Sequence, residues 1–400
     1  MKKYNYRAMS KENKKVEGQY EANTREEVIG MITSNGYYPL KVTEIEAKPF
    51  SEVSFNQKVT SKDLSIFCRQ MYTMLNAGVT ITSALNMLTT QIVNKKLRSI
   101  VLEIEEDVKK GEMLSESMKK YPNEFPNLLT SMIQAGEATG NIDSIMLRMA
   151  THFEKSNKTN NQVKSAMIYP IALCIVSIVV IIAMMLFVLP VFVELFNAEE
   201  MQLPAITKFV MGFSSFVNKY IIFILIILIG SVIGFNIYSK TEKGKFNLSK
   251  LYLKLPVIAD LNKKIIVARF TRTMSTLLSS GISLIEAIPI VSDVLVNKIA
   301  QLEMLRIRER VVRGDGLSAP ISESEIFPEL LSSMVKIGEE SGSLDDILNK
   351  TADFYEEEVD QAIKTATGLM SPIMIVILGV IIGTVVISIM LPMFNMYQDL

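Results

Sequence analysis

"QAGEATGNIDSI", Gln134 to Ile145, returns as "KIGEESGSLDDI", Lys336 to Ile347, and that repetition decides how the chain is built. The phrases start 202 residues apart and share a Gly-Glu pair (Gly136-Glu137, Gly338-Glu339), a second glycine and an acid. Gly140 and Gly342 stand where one helix breaks, and Asn141 and Ser343 are placed to cap the next. Asp143 and Asp345 then fall in a first helical turn, where the dipole favours negative charge. The phrase reads as a helix, a corner and a helix, and its recurrence directs a search for a longer repeat.

The repeat extends in both directions. "RQMYTMLNAGVTITSALNML" (Arg69 to Leu88) matches "RTMSTLLSSGISLIEAIPIV" (Arg272 to Val291) at the arginine, at the leucine before the glycine, at the glycine and in the apolar rhythm. "KKGEMLSES" answers "VRGDGLSAP", and "NEFPNLLTSMI" answers "SEIFPELLSSMV". Downstream, Tyr169-Pro170 answers Ser371-Pro372, and Leu189-Pro190 answers Leu391-Pro392. Each copy is therefore a polar helical region followed by an apolar run. Thr60 with Asp63 and Ser283 with Glu286 have the spacing of capping boxes, and Gly78 and Gly281 stand where a left-handed helix end is expected. Leu64, Phe67, Met71, Met74 and Leu75 recur at three and four spacing, so each copy is expected to be a bundle of about six helices with one buried face apiece.

Ile171 to Phe192, Tyr220 to Tyr238, and the run from Pro372 to Phe394 contain no charged side chain. About 20 residues at roughly 1.5 Å each cover a ~30 Å hydrocarbon core, so each run can cross a bilayer. A buried helix of a soluble protein is the alternative, but "IIFILIILIGSVIGF" is apolar on every side. Lysines and arginines cluster before the first run (Arg148, Lys155, Lys158, Lys164) and after the second (Lys240, Lys243, Lys245, Lys250, Lys254). Lys364 precedes the third run and no Lys or Arg follows it, so both polar regions and the N-terminus are expected inside and the C-terminus outside. Gly230 with Gly234, Gly379 with Gly383, and the span-entry prolines Pro170 and Pro372 are candidate helix-packing positions. Pro190 and Pro392 are expected to end or kink their helices.

Ahead of the first copy, "KKYNYRAM" and "KVEGQYEA" read as paired strands, Thr24 to Glu27 as a helix start, and "NGYYPLKV" as turn and strand. The expected organisation is a small α+β module at 1–46, a linker at 47–59 and a first cytoplasmic bundle at 60–166. A span at 168–192, an extracytoplasmic segment at 193–218 and a span at 219–239 follow. A second cytoplasmic bundle at 240–366, a span at 369–394 and an extracytoplasmic tail at 395–400 complete a mainly α, polytopic membrane protein.

Lys+Arg and Asp+Glu both number 42 and 49% of residues are hydrophobic, which argues against a nucleic-acid binder and against a disordered chain. Two cysteines, Cys68 and Cys174, offer no disulfide framework, and "MKKYNYRAMSKENKK" has no apolar stretch behind its lysines, so no secretory signal peptide is expected. His152 is the only histidine, which removes a catalytic triad and a multi-histidine metal site; "TEKGKF" around Gly244 lacks the rest of a P-loop. No catalytic, cofactor or metal residue is assigned. Glu137, Asp143, Glu339 and Asp345 have the oxygens to ligate a hard cation, but a helix-start role explains the two aspartates more simply. A transporter would carry ionisable groups within its spans, and these spans lack them.

With "Q-A-G-E-x-x-G-x-I-D", "K-I-G-E-E-S-G-S-L-D", three apolar runs and a front end of "Y-x-Y-x-A…G-x-Y-E-A", the whole chain resembles the type II secretion system F family. The resemblance implies a non-enzymatic platform in the cytoplasmic (inner) membrane of a type IV pilus, secretion or competence machine. Its implied partners are a cytoplasmic hexameric assembly ATPase, pilin or pseudopilin subunits, other inner-membrane assembly proteins and the lipid bilayer, with no nucleic acid and no cofactor. A homo-oligomer built on a dimer is also implied. Gly78, Gly281, Gly136, Glu137, Gly140, Asp143, Gly338, Glu339, Gly342 and Asp345 are then candidate structural or partner-contact residues. Whether Glu137 and Glu339 only support the corner or also touch a partner stays open. The copies differ at "EATGNID" against "EESGSLD" and at "GEMLSES" against "GDGLSAP", so they are not expected to be interchangeable.

Overall fold

The computed structural model describes residues 2–9, 15–22, 24–45, 58–192, 204–255 and 258–398. Two compact units divide between Lys58 and Val59. In the first, period-two alternation makes strands β1 (Lys2–Met9), β2 (Lys15–Ala22) and β3 (Tyr38–Ile45), paired antiparallel in the order β2-β1-β3. Tyr4 and Ala8 of β1 bury one face of the sheet against Val28 and Ile32 of helix α1 (Arg25–Ser34). The Thr24 hydroxyl accepts from the Glu27 amide at 3.4 Å, starting α1 as its spacing predicts. Most of the expected linker, residues 47–57, lies outside the described residues.

The second unit holds both copies. Copy 1 runs α2 (Ser61–Asn76), α3 (Ile81–Gln91), α4 (Lys95–Lys109), α5 (Leu114–Lys119), α6 (Asn127–Thr139) and α7 (Ile142–Phe192). After α8 (Ala205–Lys240) and α9 (Glu242–Tyr252), copy 2 runs α10 (Ile258–Leu278), α11 (Leu284–Val294), α12 (Lys298–Val312), α13 (Ser318–Ser322), α14 (Glu329–Ser341) and α15 (Leu344–Gln398). Helix ends follow the local signals. Thr60 and Asp63 close a full capping box, with the Thr60 amide donating to the Asp63 carboxylate at 2.8 Å and the Asp63 amide to the Thr60 hydroxyl at 3.2 Å. Asn94 and Asn297 each accept two amides at the starts of α4 and α12. Gly78 (φ 84°) and Gly281 (φ 83°) adopt the left-handed conformation. The copies also repeat an aromatic pair, Phe67 with Phe125 at 6.0 Å and Phe270 with Phe327 at 5.4 Å between ring centroids. Buried side chains of both copies form one continuous core.

Helix α7 runs for 51 residues and α15 for 55, about 75 and 80 Å at the usual rise, so each leaves its bundle and continues as an apolar rod. They lie parallel: Lys155 meets Asp353 at 2.7 Å, Gln162 meets Asp360 at 3.0 Å, and Cys174 meets Met374 at 3.9 Å, pairs separated by 198, 198 and 200 residues. Among the described residues, three helices are long and apolar enough to cross a membrane, Ile142–Phe192, Ile222–Lys240 and Leu344–Pro392.

Three readings need correction. Pro392 does not end its helix, which continues to Gln398, and Pro190 lies inside helical backbone that reaches Phe192. A π-turn, Met184–Val188, precedes Pro190 and lets the chain pass the ring. Asn141 makes no side-chain cap on α7; its own amide donates to the Gly136 carbonyl at 3.0 Å. Helix α8 also begins well before the apolar run at Tyr220, where a kink (φ −113°, ψ 15°) interrupts it. Its first part packs Val210 against Leu189 and Val385, and the Thr207 hydroxyl donates to the Ser388 carbonyl at 2.7 Å. Residues 193–203 lie outside the described residues.

Candidate functional site: the repeated corners and the bundle junction

Each part of the opening phrase has a physical task. Gly140 (φ 74°) and Gly342 (φ 70°) end α6 and α14 in the left-handed region, where a β-carbon is strained. Gly136 lets α6 approach α7: a β-carbon there meets Ile145 Cγ1 at 2.9 Å and Ile142 Cα at 3.2 Å. Gly338 does the same in copy 2, facing Leu344 Cα at 2.9 Å. Glu137 reaches back to helix α5, which has no cap of its own, and accepts from the Leu114 amide at 2.6 Å and the Ser115 amide at 3.2 Å. Glu339 repeats this on α13, accepting from the amides of Leu317 and, at 3.2 Å, Ser318. A carboxylate on free helix-start amides satisfies the dipole and the orphan donors at once. Asp143 and Asp345 stand in the first turns of α7 and α15. Both carboxylates of the Gly-Glu pairs are thus taken up by backbone. Among the described residues no three His, Cys, Asp or Glu side chains converge as a metal set.

The helix-packing candidates behave differently. A β-carbon at Gly230, Gly234, Gly379 or Gly383 meets nothing within 4 Å, so neither pair mediates a contact among the described residues. Pro170 is buried, whereas Pro372 is exposed.

Between the bundles lies a polar junction that spacing alone does not reveal. Within each copy the first helix is clamped to the long helix by the same ion pair, Arg69 to Glu154 at 2.7 Å and Arg272 to Glu356 at 2.8 Å. Copy 1 then docks on copy 2. Lys155 of α7 reaches Asp353 at 2.7 Å and Glu356 at 3.3 Å. Arg269 of α10 donates to Asn160 at 3.0 Å, Asn127 of α6 donates to Asp293 at 3.2 Å, and Arg148 donates to Ser279. A cavity of about 60 Å³ at this joint is lined by His152, Lys155, Arg269, Arg272, Thr273 and Glu356. Burial, then the charges of Arg272 and Arg269, push the His152 imidazole down to about 4, so it is neutral at pH 7. Burial raises the Asp353 carboxyl, but its contacts to Lys155 and Arg272 outweigh this and hold it below the usual range. The arginine at the head of the aligned repeat, Arg69 or Arg272, was the one signal pointing here.

Comparison with known proteins matches the family described as type II secretion system (T2SS), protein F twice, at residues 67–190 and 270–392, and its N-terminal domain at residues 1–43. The protein belongs to the type II secretion system protein F family. The two matches in this F-family chain coincide with the two copies. It is 33% identical, over 99% of this chain and 98% of the relative, to a "Type IV pilus assembly protein PilC" of Thermus thermophilus. A second protein of that description, from Myxococcus xanthus, is 31% identical over 98% of this chain and 94% of its own length. A "Type II secretion system protein F" of Aeromonas hydrophila is 31% identical over 94% of this chain and 98% of its own length. With three helices able to span the bilayer, this F-family chain is a multi-pass membrane protein.

Proposed function

We propose that this chain is the membrane platform of a type IV pilus or type II secretion machine and transmits the work of a separate cytoplasmic ATPase to pilin-like subunits. The observation that carries the reading is the continuity of α7 and α15, each a single helix from bundle to apolar end, bolted together by Lys155, Asp353 and Glu356. A rotation or tilt imposed on the bundles passes along stiff rods into the membrane. Pulling a ~20-residue apolar helix from lipid, at roughly 0.3 to 0.6 kcal/mol per residue, requires on the order of 10 kcal/mol. The sequence offers no P-loop for that work, so the motor is another protein. The basic flanks favour bundles and N-terminus in the cytoplasm and the C-terminus outside. The domain boundaries given above, and a homo-oligomer built on a dimer, belong to the same reading.

Deleting either bundle is expected to abolish co-purification of the assembly ATPase and filament formation; normal filaments without one would sink the platform reading. Pilus relatives of 29 to 33% identity stand beside secretion relatives of 25 to 31%, and this higher range favours the pilus machine. Loss of surface pili with secretion intact is the outcome expected from a null strain.

A further inference from the structure

The cavity between the copies holds more positive than negative charge. Asp353 and Glu356 of α15 balance Lys155 of α7 and Arg272 of α10 in a closed set of ion pairs. Arg269 of α10 lines the same cavity and stands outside that set. Among the described residues it meets no carboxylate, and its side-chain partner is Asn160 Oδ1 at 3.0 Å. Burial pushes the guanidinium below its usual range, and no neighbouring acid offsets this. A partly buried charge of this kind is costly unless a counter-charge joins it.

Two neutral groups beside it also lack partners. His152 of α7 is 7% exposed and Thr273 of α10 is fully covered, and both side chains line the cavity. His152 Nδ1 and Thr273 Oγ1 are buried and make no hydrogen bond among the described residues. Buried polar atoms are nearly always paired, so two orphans at one cavity call for a common partner. The cavity, about 60 Å³, has room for a few atoms the size of water. Lys155, with 33% of its side chain exposed, leaves the rim open to a small solute. The Glu356 carboxylate also lines the cavity, but Lys155 and Arg272 hold it, so it does not cancel Arg269.

The repeat shows that helix formation does not itself demand this chemistry. Ile66 stands in copy 1 at the place of Arg269, and Phe354 stands in copy 2 at the place of His152. Helices α2 and α15 form with apolar side chains there. Arginine and histidine come together where α7 of copy 1 faces α10 of copy 2.

We propose that this cavity binds a small inorganic anion, of the size of chloride or phosphate, which bridges the two copies. Arg269 supplies the compensating charge and N–H donors, Thr273 a hydroxyl donor, and His152 an Nδ1–H as the neutral ring. The site draws nothing from the platform reading and is tested without a motor or a filament.

His152 is the only histidine, so protein carrying isotope-labelled histidine, purified in detergent without a histidine tag, gives a single imidazole resonance. Sodium chloride and sodium phosphate are titrated separately near neutral pH, with sodium gluconate holding ionic strength constant, and gluconate alone is titrated as a control. A saturable shift with chloride or phosphate is expected. Chloride alone identifies a monatomic ion, phosphate alone an oxyanion, and both a site open to either. No saturable shift with either salt overturns the proposal, as does an equal shift with gluconate. Arg269→Gln, which keeps a donor for Asn160, is expected to weaken binding about tenfold, and Arg269→Lys, which keeps the charge, to weaken it less. Thr273→Val, which removes the hydroxyl at constant shape, is expected to weaken it about threefold. Melting curves identify the folded variants. An undiminished affinity in Arg269→Gln, or in Thr273→Val where the glutamine variant fails to fold, overturns the site.

Discussion

Glu137 shows what a single side chain does when its partners lie 23 and 22 residues earlier. Its removal leaves two amides at the start of α5 unpaired, at about 1 to 3 kcal/mol, so Glu137→Ala and Glu339→Ala are each expected to lower the melting temperature by several degrees in detergent. Equal melting would mean that the corners do not depend on these carboxylates. Gly136→Ala drives a methyl against Ile145 and the backbone of Ile142, an overpacking of about 1 to 3 kcal/mol, measurable in the same assay; an unshifted melt would remove the close-approach argument. His152 adds a pH dependence. Its folded value of about 4 lies below the ordinary 6.5, so the unfolded chain binds the extra proton. The resulting stability, up to about 3 kcal/mol, is complete above pH 6.5, falls as pH drops from there and is gone near pH 4. Lys155, Arg148, Glu356 and Asp345 also line the cavities around the ring, so the imidazole's share is isolated by comparing the protein with a variant that lacks it. His152→Leu is expected to flatten the loss of melting temperature between pH 6.5 and 4, and an unchanged slope would assign it elsewhere.

Among the elements, the end of α7 explains how a proline sits inside a helix. In the π-turn each amide reaches back five residues, as Leu189 does to Met184, so the absent amide of Pro190 leaves the Met185 carbonyl without its donor. The Ser214 hydroxyl of α8 supplies it at 2.9 Å. Ser214→Ala is expected to cost about 1 kcal/mol in the wild-type background and close to nothing after Pro190→Ala, which restores the amide. Equal costs in both backgrounds of such a double-mutant cycle would break the link. This element also marks the limit of reading from sequence. Thr60, Asp63, Gly78, Gly140 and the strands of the first unit were legible because a cap or turn is settled by residues within four positions. Pro190 misleads because its missing bond is replaced from another helix, and Asn141 because backbone geometry rather than its side chain closes the corner. The bundle junction escaped for a related reason. Arg272 and Lys155 look like any solvated helix charges until Glu356 and Asp353 are brought beside them.

At the scale of the molecule, the repeat predicts two bundles, one for each copy, and the structure joins the two in one core. Leu64 to Phe153 of copy 1 and Ile266 to Ile363 of copy 2 belong to a single buried cluster, and the junction ion pairs cross it. Cooperative unfolding follows continuous burial, so the copies are expected to melt together. The unit ending at Lys58 has its own small core of Tyr4, Ala8, Ala22, Val28, Ile32 and Val42, and is expected to melt alone. Calorimetry of the purified chain in detergent is thus expected to show two transitions, a minor one for the N-terminal unit and a major one for the rest. Removing residues 2–58 should delete the minor transition and leave the major one in place. Lys155→Ala should move the major transition down by up to about 1 kcal/mol, because it removes one of the two cations, with Arg272, that hold Asp353 and Glu356 together across the junction. If the major transition splits into two in the full chain, the copies are separate folding units. A torque applied to one would then not reach the other, and the rod-and-junction account of the platform would fail at its first link.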